Sequence, residues 1–192
     1  MIRLVALYYV LMAVLSASAA KAANCALALA FALDVSASVN AREYDIQKGG
    51  LAATLRDPEV VEAILATPGS VWLFAYEWSA TSQQAVVHDW ARMNGPADIQ
   101  RFAAGLEGHR RRFGKSSTAL GQGLSFGLSQ FAALPALCDR QVIDVSGDGV
   151  NNDGVAPETL LREKDTPSVD CALESFEATK AFFFLFFVLV FI

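Results

Sequence analysis

Eight consecutive apolar residues, Ala26 to Leu33, run directly into Asp34-Val35-Ser36-Ala37-Ser38. An unbroken apolar run of that length, without a polar face, is the pattern of a β-strand buried on both sides. Such strands belong to parallel sheets covered by helices on each face. The polar exit then lies at the carboxyl edge of the sheet, where ligands gather in open α/β folds at the point where strand order reverses.

The rest of the chain supplies the partners of that strand. Asn40 with Glu43 three residues later is a capping-box helix start. Tyr44, Leu51 and Leu55 continue its apolar face to about Arg56, and Asp57-Pro58 ends it before a short helix over Glu59–Leu65. Val71–Trp78 reads as a second strand, and Ala85–Trp90, alternating through Val87 and Asp89, as a third at the sheet edge. Pro96 opens a helix with Ile99, Phe102, Ala103 and Leu106 at helical spacing. Thr118 begins another, with Leu120, Leu124, Leu128 and Phe131 in register and Gly123 and Gly127 placed for close packing. Gln141–Val145 is a fourth strand ending in Ser146-Gly147-Asp148-Gly149. The expected fold is an open, mostly parallel, doubly wound α/β sheet of order 3-2-1-4, with helices on both faces. There is no internal repeat and no linker.

The two ends carry the excess of apolar residues that raises the whole to 54%. Met1-Ile2-Arg3 precedes the apolar run Leu4–Leu15, and the small residues 16–22 offer cleavage after Ala19 or Ala22. That is the layout of a signal peptide over residues 1–22, its apolar run being too short to cross ~30 Å of hydrocarbon. The expected location is therefore periplasmic or secreted, with membrane contact confined to an uncleaved signal or the apolar end 181–192. Fifteen Lys and Arg against twenty Asp and Glu give a net charge of −5, which disfavours nucleic acid as a partner.

Export implies an oxidising compartment, so cysteine spacing carries information. Cys25 precedes Asp34 by nine positions, and Cys138 precedes Asp148 by ten. If the first and fourth strands are parallel neighbours, the two cysteines start level, and strand spacing of ~4.8 Å is within disulfide reach. The alternative is two buried free thiols. Cys171 is left over.

Asp34, Ser36 and Ser38 alternate along an extended turn, so one carboxylate and two hydroxyls can face one point. Asp148 ends the neighbouring fourth strand, and Thr118 offers a third hydroxyl from the loop above. These five hard oxygen donors suit Mg²⁺ or Mn²⁺. Two carboxylates and three neutral hydroxyls only just neutralise a divalent ion, which leaves room for a carboxylate offered by another protein.

The sequence here resembles the von Willebrand factor type A domains, whose metal-ion-dependent adhesion site combines D-x-S-x-S, a Thr on the next ligand loop and an Asp at a later strand end. Asp34, Ser36 and Ser38 match the first element, Thr118 in Ser116-Ser117-Thr118-Ala119-Leu120-Gly121 the second, and Asp148 the third. Asp144-Val145-Ser146-Gly147-Asp148-Gly149 followed by Asn151-Asn152 is similar to an exported bacterial subgroup of unknown function. The resemblance covers about residues 26–156 and implies a non-enzymatic module that binds an acidic group of a partner through the metal. Ser116-Ser117 stands where Gly-Gly is common. Beyond Pro157 the family pattern of strands and helices is absent from residues 166–192, and the chain reads there as truncated or out of frame. The expected organisation is a signal peptide over 1–22, a domain over 25–156, and a divergent tail over 157–192.

Other features carry blander readings. Asp144, inside a strand, is expected to accept structural hydrogen bonds, and His88 to be structural. His109-Arg110-Arg111-Arg112 with Lys115 reads as a solvated loop on the metal rim, with Arg110, Arg111, Arg112 and Lys115 as candidates for steering an acidic partner. An EF-hand over Asp144–Val155 fails because its twelfth position is Val155 rather than Glu. The rival function is a haloacid dehalogenase-like phosphohydrolase with Asp34 as nucleophile. That chemistry needs a second Asp two residues on as general acid, where this chain has Ser36, and its lysine has only the distant Lys115 as a candidate.

Overall fold

The computed structural model describes residues 25–147, 150–162 and 169–174, with the backbone alone for 161–162 and 169–174. The expected signal peptide, Asp148 and the apolar end 181–192 lie outside the described residues. Among the described residues there are five strands, β1 (Cys25–Asp34), β2 (Ser70–Trp78), β3 (Gln84–Arg92), β4 (Cys138–Ser146) and β5 (Val169–Glu174), and five helices. The helices are α1 (Ala41–Leu55), α2 (Pro58–Ala66), α3 (Pro96–Gly108), α4 (Leu120–Phe131) and α5 (Pro157–Arg162). The sheet order is β3-β2-β1-β4-β5. Every pairing is parallel except β2 with β3, which places the alternating strand antiparallel at one edge.

β1 sits at the centre, and its sequence sorts the two faces. Leu27, Leu29, Phe31 and Leu33 point to one side, where they join Leu51 and Leu55 of α1, Val60 and Ile64 of α2, and Ile99, Phe102 and Leu106 of α3. Ala28, Ala30 and Ala32 face the other side, beneath Phe74, Tyr76, Trp78, Ile143 and Leu124 of α4. Small residues on β1 leave space that the β2 aromatics fill, and α4 settles onto those rings through its glycines. A Cβ at Gly123 would lie 2.9 Å from Trp78, and one at Gly127 2.5 Å from the Tyr76 hydroxyl. The Tyr76 hydroxyl donates to the Gly123 carbonyl at 2.9 Å.

Cys25 and Cys138 are register partners on β1 and β4, with Cα atoms 4.3 Å apart, and are joined by a disulfide. The bond closes the amino edge of the central strand pair, opposite the loops that follow Asp34 and Ser146.

Helix starts follow local chemistry. Asn40 caps α1 by accepting from the Arg42 and Glu43 amides, while the Glu43 carboxylate accepts from the Asn40 amide. Asp57 caps α2, which begins with Pro58.

Two expectations need correction. Thr118 does not begin a helix: α4 starts at Leu120, because the Thr118 amide donates to Asn152 Oδ1 and its carbonyl accepts from the Asn152 amide, both at 2.9 Å. Within residues 166–192, expected to lack the family's strands and helices, the described segment 169–174 forms β5, which follows α5 and covers the outer edge of β4 from Gln141↔Val169 to Ser146↔Glu174. The sheet thus has a fifth strand where later strands were expected to be missing or replaced. The edge-covering segment is 169–174, whereas an apolar cover from 181–192 lies outside the described residues.

Candidate metal site at the carboxyl edge of the sheet

Asp34 is the last residue of β1, and its main chain continues into a loop fixed by neighbours on both sides. The Val35 amide donates to the Trp78 carbonyl at 2.9 Å, and the Ala37 amide to the Ser116 carbonyl at 2.8 Å. The Asp34 side chain is fully buried, and its Oδ1 accepts from the Ser36 amide at 2.7 Å. The Ser36 and Ser38 hydroxyls lie 3.1 Å apart, so the carboxylate and two hydroxyls of this turn share one small region.

The loop carrying Thr118 is held against this turn by backbone bonds. Besides the Ala37–Ser116 contact, the Ala119 amide donates to the Ser79 carbonyl at 2.8 Å, and the Ser79 hydroxyl donates to the Ser117 carbonyl at 3.1 Å. Thr118 is 3% exposed. Lys115 adopts a left-handed conformation with φ of 57°, which turns the chain back before Ser116.

The loop after β4 completes the rim. A Cβ at Gly147 would stand 2.9 Å from Asp34 Oδ2, so only glycine lets the strand end pass beside that carboxylate. Asn152 forms the reciprocal pair with Thr118. Asp153 Oδ2 accepts from the Ser117 hydroxyl at 2.6 Å and from the Thr81 amide at 3.3 Å. Those donors, the Ser117 hydroxyl first, hold the Asp153 carboxyl below the usual carboxylate range. Asp148 lies outside the described residues.

A divalent cation fits the chemistry of the donors. Among the described residues no three Asp, Glu, His or Cys side chains converge. A cation here would be met by the hard oxygen donors around Asp34. The residues that would hold it are Asp34, Ser36, Ser38 and Thr118, with Asp148 beyond the described part.

Behind the site, the residue at the heart of the polar support is Glu77 of β2, which is fully buried. Its Oε1 accepts from the Arg112 amide at 2.7 Å, while His109 Nε2 and the Tyr44 hydroxyl lie 3.2 and 3.4 Å from its Oε2. Burial, reinforced by this carboxylate, pushes the Tyr44 phenol pKa up. Gln47 of α1 donates to the Ser146 hydroxyl and carbonyl, at 2.6 and 3.3 Å. Glu77, Gln47, Asn152 and Asp153 were not singled out as supports by sequence reasoning. The one available signal was an acidic residue inside the apolar run Val71–Trp78, since a buried carboxylate requires partners.

The basic loop is not uniformly solvated. Arg111 is half-buried and gives its guanidinium to main-chain carbonyls, so it differs from the exposed Arg110, Arg112 and Lys115. As a charge for steering a partner it is already engaged. His88 packs on Phe102 with ring centroids 4.4 Å apart, a structural contact. Asp144 is 2% exposed within β4.

Residues 24–169 match the family described as "Protein of unknown function (DUF1194)". No curated protein matches the chain. Among solved structures, similarity extends to proximal thread matrix protein 1 from the mussel byssus with a zinc-occupied MIDAS motif. There the TM-score is 0.56 and the identity 16%, over 80% of this chain and 38% of that one. The PilB minor pilin from Streptococcus sanguinis is also similar, with a TM-score of 0.51 and 16% identity over 66% of this chain and 30% of that one. The chain thus spans well under half the length of the solved structures it matches.

Proposed function

The chain belongs to the family described as "Protein of unknown function (DUF1194)" and has the fold of the von Willebrand factor type A domains, and from that premise we propose that it is an exported protein-binding module that captures an acidic group of its partner through a divalent cation. The observation that carries this reading is the turn at the end of β1. There a buried carboxylate and two hydroxyls 3.1 Å apart lie on a loop tied by its Ala37 amide to the segment bearing Thr118. Asp34, Ser36, Ser38, Thr118 and Asp148 would hold Mg²⁺ or Mn²⁺, which supplies a positive centre for a partner's carboxylate. Support comes from the mussel protein of the same fold, which holds zinc in a MIDAS motif, and from the pilus protein of the same fold.

The partner is another protein. Exposed Arg110, Arg112 and Lys115 on the loop beside the site would favour approach of an acidic surface, an effect that falls with ionic strength. Export rests on the signal-like residues 1–22. Among the described residues, no helix is long and apolar enough to cross a membrane.

The phosphohydrolase reading is less well supported. It requires a carboxylic acid two residues after the nucleophile, and that position is Ser36, whose hydroxyl pairs with Ser38. The reading as a non-enzymatic module predicts no hydrolysis of a generic aryl phosphate in the presence of Mg²⁺.

The binding activity is tested with the chain immobilised on a sensor surface and a polyglutamate peptide in the flow. Capture in Mg²⁺ or Mn²⁺ that is lost in EDTA, and absent for polyglutamine, is the expected result. Equal capture with and without metal would overturn the proposal.

A further inference from the structure

We infer that Arg111 is the positioning residue of the cation-binding turn, setting its metal affinity by holding the main chain between the ligands; this rests on the metal-site reading above. The guanidinium makes four bonds to carbonyl oxygens. Its Nη2 donates to Val35 at 2.6 Å and Ser36 at 2.9 Å, its Nη1 to Val39 at 2.7 Å, and its Nε to Phe113 at 2.6 Å. Three of those carbonyls belong to the segment 35–39, which carries Ser36 and Ser38 immediately after Asp34. Within this turn the Val39 amide donates to the Ser36 carbonyl at 3.2 Å, while the Val35 and Val39 carbonyls accept from Arg111, outside the turn. A planar guanidinium with five donors in a rigid fork can serve several carbonyls at once, which a lysine ammonium cannot match in geometry.

Arg111 is itself aimed from behind. The Arg112 amide and His109 ring fasten its loop to the buried Glu77 carboxylate. The guanidinium carbon lies 5.8 Å from the centroid of the Tyr44 ring, and Phe113 packs on the cluster of Val35, Val39 and Tyr44. The loop and the turn therefore form one unit with an apolar base and a polar clamp.

A positive charge near a cation site opposes cation binding, so a purely electrostatic role predicts that neutralising Arg111 tightens metal binding. A clamp predicts the reverse. Residues that orient metal ligands typically contribute ~10–100-fold to affinity.

The test is titration of Mn²⁺ into the full chain, its Arg111→Gln variant and its Arg111→Lys variant, with thermal melting and amide exchange of each in EDTA. The expected result is ~10–100-fold weaker binding for Arg111→Gln, a smaller loss for Arg111→Lys, and faster exchange of the Ser36, Ala37 and Val39 amides in chains that still melt cooperatively. Unchanged or tighter Mn²⁺ binding by Arg111→Gln, with wild-type binding intact, overturns the role of Arg111 alone. A wild-type chain that binds no Mn²⁺ overturns the metal-site reading and this inference together.

Discussion

Gln47 and Ser146, 99 residues apart in the chain, meet at 2.6 Å between the Gln47 side-chain amide and the Ser146 hydroxyl, joining the middle of α1 to the end of β4. Gln47 is 2% exposed and Ser146 7%. The bond therefore fixes the exit of β4 toward Gly147 from within the core. α1 follows directly from the Asp34 turn, so this one amide ties that turn and the end of β4, the two segments proposed to carry ligands, to a common helix.

Replacing Gln47 by Met keeps the length of the side chain but strips Ser146 of its buried donor. The expected cost is about 1–3 kcal/mol, the usual penalty for leaving a buried polar group short of a partner. Urea denaturation of the metal-free chain checks this, and a midpoint identical to wild type would show that the bond contributes nothing.

The disulfide at the opposite edge should act on stability without touching the site. Joining residues 113 apart in sequence restricts the unfolded chain strongly. The double variant Cys25→Ala/Cys138→Ala is expected to lose ~2–5 kcal/mol. Denaturant melts measure the loss, while Mn²⁺ affinity of the folded variant should stay at the wild-type value.

Packing of α4 gives a third expectation. A methyl at Gly127 would stand 2.5 Å from the Tyr76 hydroxyl and 2.9 Å from Ile143. Gly127→Ala should therefore destabilise by about 1–3 kcal/mol through overpacking, despite the higher helix propensity of alanine. An increase in melting temperature would contradict the close approach of α4 to the sheet.

Acid should act through Asp153. Its folded pKa is depressed below the usual 3.8, first by the Ser117 hydroxyl and then by the Thr81 amide. A carboxyl so depressed contributes stability that is fully present above its unfolded pKa and is lost as pH falls through the lower folded value. The Asp153 carboxyl signal in an NMR titration should have its midpoint below 3.8, and Ser117→Ala should move that midpoint upward. No movement would mean that the Ser117 bond does not hold the carboxylate.

Much of the frame was legible because it is local or periodic. The Ala26–Leu33 run announced a doubly buried strand, Asn40 and Glu43 a capped helix, and Gly123 with Gly127 a helix that sits close to the sheet. Alternation of strands and helices pointed to an open α/β sheet with helices on both faces. What escaped was long-range or carried by the main chain. Glu77 finds its partners 32, 33 and 35 residues away. Arg111 binds carbonyl oxygens, which every residue has, so no side-chain pattern betrays it, and a run of basic residues reads as solvated. β5 escaped because Asp170 and Glu174 break a short apolar stretch, and only pairing with the edge of β4 selects it as a strand. Thr118 looked like a helix start for the opposite reason. Its local sequence fits one, and the distant Asn152 overrides it.

The central claim is that Asp34, Ser36, Ser38 and Thr118 serve one cation, and Thr118 tests it most directly because it contributes a ligand only in that reading. Calorimetric titration of Mn²⁺ into the chain beside Thr118→Val should show saturable binding that the variant weakens by about tenfold, or about 1.4 kcal/mol. Binding of equal strength in the two proteins would remove Thr118 from the site and contradict the account.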